Sequence, residues 1–141
     1  MNRFTPLKSP SSGRPQRYRF VVLNTPCKRL HGLLGRRSLM SGAGVILISC
    51  RSVHTCGMRM PIDVVFVDAA LRITQVTRGL VPWRAAASRR ARHAVEMLAG
   101  AAPGTVAEWH VWHIAFRRAL QGAGMLVAPS HGGDPHDDNP T

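Results

Sequence analysis

The chain has 141 residues, of which 45% are hydrophobic. That is enough for one domain with one core and argues against disorder throughout. Its formal charge is +12, from 19 Lys and Arg against 7 Asp and Glu, a field that favours phosphates, anionic lipids or acidic ligands. No apolar run approaches the roughly 20 residues of a membrane-spanning helix, so no transmembrane segment is expected.

Residues 1–17 are basic and rich in Pro, Ser and Arg, and read as a disordered N-terminal segment. They lack the apolar stretch of a secretory signal. Pro6, Pro10 and Pro15 break the helix an organellar transit peptide needs, so a cytoplasmic location is expected. Tyr18–Leu23 is aromatic and β-branched and predicts a strand. Thr25-Pro26 offers an N-cap with Pro at the first helical position, and Gly35 is placed to end a short helix. After a turn over 41–44, Val45–Ser49 predicts a buried strand and Val53–Met58 another. Ile62–Val67 and Leu71–Thr77, joined by Asp68-Ala-Ala70, predict a β-hairpin.

Residues 78–92 read as a loop, followed by a strand over His93–Leu98. Thr105 is placed to cap a helical turn through Trp109, and Ile114, Phe116 and Leu120 have helical spacing within His113–Leu120. Residues 129–141 read as a disordered tail, leaving 18–128 as a single β-rich domain. Cys27, Cys50 and Cys56 contain no C-x-x-C pair, so a disulfide framework is not expected and a reducing compartment fits.

The succession of Gly32–Leu39, Gly44–Leu47, His54–Met58, Pro61–Asp68 and Trp83 resembles domain of unknown function family 192, an uncharacterised bacterial and archaeal family. The resemblance covers about residues 20–111. It implies a mainly β fold, a compact β-sandwich of jelly-roll type with one or two short helices, and no established activity. The sequence departs from the family pattern in three places. Cys56 replaces an aromatic, Ala99–Gly104 expands an Ala-Gly turn, and His113–Leu126 stands where a closing strand is usual.

Several constellations carry possible chemistry. Arg36, Arg59, Trp83 and Arg84 fall on loops or element ends. Arginine binds planar anions in a bidentate manner and indole offers a flat face to a sugar, so these residues suggest a site for a small anionic ligand or glycan. Asp63 leads into an apolar strand and needs a partner, for which Arg36, Arg37 and Arg59 are the candidates.

His54, Cys56 and Met58 would share one face of a regular strand and form a soft ligand set suited to Cu(I). Core packing is the plainer account of a Cys and a Met on a strand. His54 with Asp63 is the alternative acid/base pair of a hydrolase, although strand parity opposes it. Ser88–Arg92 resembles a nucleic-acid patch by charge alone, without interleaved aromatics, so nucleic acid is not the expected partner. The reading is a binding module rather than an enzyme, with no cofactor and with oligomeric state left open.

Overall fold

The computed structural model describes residues 17–24 and 42–126. Seven strands and one helix follow in the order β1 (Arg19–Leu23), β2 (Ala43–Leu47), β3 (Ser52–His54), β4 (Ile62–Val67), β5 (Ile73–Leu80), β6 (Ala85–Ala87), β7 (His93–Leu98) and α1 (Val106–Gly122). The described chain is therefore mostly β, in two open sheets, consistent with the expected sandwich-like class. The segments expected to be disordered, the helix expected over 25–35, and Arg36 and Arg37 all lie outside the described residues, Arg17 excepted.

The larger sheet has the order β1-β2-β7-β4-β5, and the smaller pairs β3 with β6. β1 runs parallel to β2, and the other pairings are antiparallel. β4 is interior and all six of its residues are buried, which explains why Ile62–Val67 reads as an unbroken apolar run around one acid. Alternation along the strands sends side chains to two separate cores. Ile46, Val65, Val67, Val95 and Met97 pack toward α1, and Val45, Leu47, Val64, Phe66 and Ala94 pack with Val53 and Ala86 of the small sheet.

The β4–β5 hairpin forms as expected. Asp68 Oδ1 accepts from the amides of Ala70 and Arg72, each at 2.9 Å, and Leu71 takes a left-handed φ of 63°. At the other end of the sheet, Gly42 sits at φ 90°, and a Cβ there would lie 2.2 Å from the Arg17 carbonyl oxygen. A residue without a side chain is required where β2 passes the chain entering β1.

α1 is one continuous helix where the sequence suggested two helical pieces. Thr105 and Glu108 form a capping box at its start: the Glu108 amide donates to Thr105 Oγ1 at 3.2 Å, and the Thr105 amide donates to Glu108 Oε2 at 3.1 Å. Trp112, Phe116 and Leu120 then recur every four residues and bury one stripe against the large sheet. Trp112 stacks on Phe116 with centroids 5.1 Å apart, and its indole N–H donates to Met97 Sδ.

Three local expectations are corrected. The strand expected over Val53–Met58 stops at His54, because the chain turns: the Met58 amide donates to the Thr55 carbonyl and Gly57 takes φ 80°. Residues 78–92 are not all loop, since β5 runs on to Leu80 and β6 pairs with β3. Cys50 is disulfide-bonded, against the expectation of reduced cysteines, while Cys56 is free and exposed.

Candidate functional site

The loop-end cluster is organised by one buried threonine. Thr55 is fully buried directly after β3 and closes hydrogen bonds to the segment between β5 and β6. Its amide donates to the Arg84 carbonyl at 2.8 Å, and its hydroxyl donates to the Val81 carbonyl at 2.6 Å and accepts from the Arg84 amide at 3.0 Å. Its carbonyl accepts from both the Met58 and the Trp83 amides. The 55–58 turn and the 81–84 loop are thereby locked side by side, which places Trp83 and Arg84 on a segment tied to the turn that leads into Arg59.

Trp83 is 68% exposed and takes φ 63°. A bulky residue in that left-handed region is strained, and such strain persists only where surrounding bonds over-determine it. The Thr55 bonds on either side of Trp83 supply that constraint. Arg84 is exposed, with its Nη1 donating to the Trp83 carbonyl at 3.2 Å, and Arg59 is exposed as well. An exposed indole and two exposed guanidiniums offer a flat apolar face and planar hydrogen-bond donors. Arg36, the fourth residue expected here, lies outside the described residues.

The expected metal set fares differently. With β3 ending at His54, no regular strand carries His54, Cys56 and Met58 on one face. His54 and Cys56 are exposed, whereas Met58 is half-buried and packs against the core beneath the small sheet. Among the described residues, no three His, Cys, Asp or Glu side chains gather where they would hold a metal ion.

Asp63 needs no arginine, contrary to the expected ion pair. Its Oδ1 accepts from the Gly79 amide at 2.8 Å, and its Oδ2 accepts from the amides of Gly100 at 2.9 Å and Ala102 at 3.0 Å. Three backbone donors satisfy a side chain that is 1% exposed. It therefore pins β5 to the loop after β7 and does not face a ligand. Arg78 reinforces the same loop by donating to the Ala102 and Pro103 carbonyls. Asp63 makes no bond to His54. It pairs opposite Met97, on the helix side of the sheet, while His54 belongs to the small sheet on the other side.

A second buried carboxylate was missed in the sequence. Glu96 lies in β7 between Val45 of β2 and Val64 of β4, on the face shared with the small sheet. It is 4% exposed, and its Oε2 has no hydrogen-bond partner among the described residues. Burial pushes its carboxyl up to about 7. The available signal was a single acid inside the apolar run His93-Ala-Val-Glu-Met-Leu98, with the same parity as buried Ala94.

Comparison with known proteins agrees with the fold. The model of the DUF192 family, described as "Uncharacterized ACR", matches residues 7–108. A protein of unknown function from Novosphingobium aromaticivorans DSM 12444 is 19% identical with a TM-score of 0.51; the match covers 59% of this chain and 64% of that one. A candidate transcription regulator from Sinorhizobium meliloti 1021 is 20% identical with a TM-score of 0.50; the match covers 58% of this chain and 69% of that one. This chain thus spans under two thirds of the length of the Novosphingobium protein, and at these identities the likeness concerns the fold alone. No curated protein sequence matches. Among the described residues, no helix is long and apolar enough to cross a membrane.

Proposed function

Because the chain belongs to the DUF192 family, for which no activity is established, its function has to be argued from its own residues, and we propose that it is a small binding module for an anionic or carbohydrate-like ligand. The contact residues are Arg59, Trp83 and Arg84, with Arg36 as a further candidate. Thr55 holds the platform and Asp63 fixes the end of β5 that leads into it.

The observation that carries this reading is the exposed Trp83 held at φ 63° next to an exposed arginine. A solvent-facing indole gains nothing for the core, and its backbone strain costs about 1–3 kcal/mol. Both features suit a side chain kept erect for a ligand, with little conformational entropy left to lose on binding. The chain's excess of basic residues favours a negatively charged ligand.

A thermal-shift screen of sugar phosphates, nucleotides and acidic glycans tests the reading. A binder should raise the midpoint of the natural protein, and Trp83→Ala and Arg84→Ala should each abolish most of that shift. Trp83 fluorescence should respond to the same compounds and be lost in Trp83→Phe. The proposal fails if no compound stabilises the protein, or if the variants respond like the natural chain.

A further inference from the structure

A concave surface lies away from the loop platform, between β1 and α1. It is an open groove of about 570 Å³, whose lining includes Arg17, Tyr18, Arg19 and Arg118 together with Val111 and Ile114. Val111 and Ile114 are 38% and 41% exposed, so the outward side of α1 presents apolar surface that the core does not use. Three arginines and no carboxylate line the groove among the described residues. Its volume falls within the range of small-molecule sites, which combine an apolar lining with a few converging polar groups.

Tyr18 closes the inner side of the groove: its side chain packs in the core beside α1 and is only 7% exposed, so the polar groups open to a ligand are the three guanidiniums.

We propose that the groove between β1 and α1 binds a small organic anion with an apolar body, its charged head meeting Arg17, Arg19 and Arg118 and its body lying on Val111 and Ile114. Charge decides against a neutral or cationic ligand, and the exposed aliphatic side chains decide against a bare inorganic ion. This site is separate from the loop platform around Trp83 and stands or falls independently of it.

The test uses the full chain and three probes: octanoate, 1-octanol and inorganic phosphate. In amide NMR spectra, octanoate should shift the resonances of residues 17–20 and 111–119, while 1-octanol and phosphate bind about ten-fold more weakly or not at all. Arg118→Glu should weaken octanoate by about ten-fold and Arg19→Ala by about five-fold, with thermal midpoints measured to confirm that both variants are folded. Trp83→Ala should leave octanoate binding unchanged, which separates this site from the loop site. The proposal is overturned if octanoate shifts no groove resonance at ~10 mM, if phosphate binds as well as octanoate, or if folded Arg118→Glu binds octanoate as the natural chain does.

Discussion

Asp63 and Glu96 are both single acids in apolar strands of the same sheet, and the fold treats them in opposite ways. Asp63 faces the helix side and meets three converging amides, one from β5 and two from the loop after β7. Glu96 faces the small sheet between two valines, and one of its oxygens has no hydrogen-bond partner among the described residues. Burial alone therefore does not decide whether a carboxylate finds hydrogen-bond donors. What decides is whether backbone donors have been brought to it, and those donors come from segments 16 to 39 residues away in sequence for Asp63.

The contrast is sharpest if the donors at Asp63 are left without an acceptor. Asp63→Ala should destabilise the protein by about 3–5 kcal/mol, because three N–H groups, that of Ala102 buried, would lose their partner at once. Chemical denaturation measures this, and a loss below 1 kcal/mol would mean that water replaces the carboxylate.

Glu96 should respond in the opposite direction. Its folded-state value of about 7 lies above the ordinary 4.5, so the folded chain holds this proton more tightly than the unfolded chain. The associated stability is fully present below about pH 4.5 and is lost as pH rises through about 7. Glu96→Gln should match the natural protein at pH 4 and exceed its stability at pH 8 by about 3 kcal/mol. Parallel stability curves for the two proteins between these pH values would refute the assignment.

A smaller effect is expected where the polar network is a single hydroxyl. Thr55→Val keeps the shape but removes the hydroxyl's bonds to Val81 and Arg84, leaving a part-buried carbonyl and amide short of a partner. The expected cost is about 2 kcal/mol, with faster amide exchange confined to residues 81–84 and the 55–58 turn. The smallest change is expected at the strained indole. Trp83→Gly should stabilise by about 1 kcal/mol by removing the left-handed penalty, while abolishing the ligand response of the loop platform. Destabilisation in that variant would show that the exposed indole packs against its surroundings.

The strands at β1, β4, β5 and β7 were legible because alternation and β-branching are local properties, and the Asp68 turn was legible because its hydrogen bonds span four residues. The candidate site was legible only as residue types on loops. Nothing local announces that β3 stops at His54, that it pairs with Ala85–Ala87 thirty residues on, or that Thr55 ties the two loops together.

From its own order of residues this chain determined a mainly β body, a capped helix at Thr105, and an arginine-rich surface with an indole on a loop, because propensity, capping and charge act over a few neighbours. Tertiary structure alone decided which acid is satisfied and which is not, and that α1 lies along β1 to leave a basic groove. Those outcomes depend on where distant backbone amides and side chains converge, which no short stretch of sequence contains.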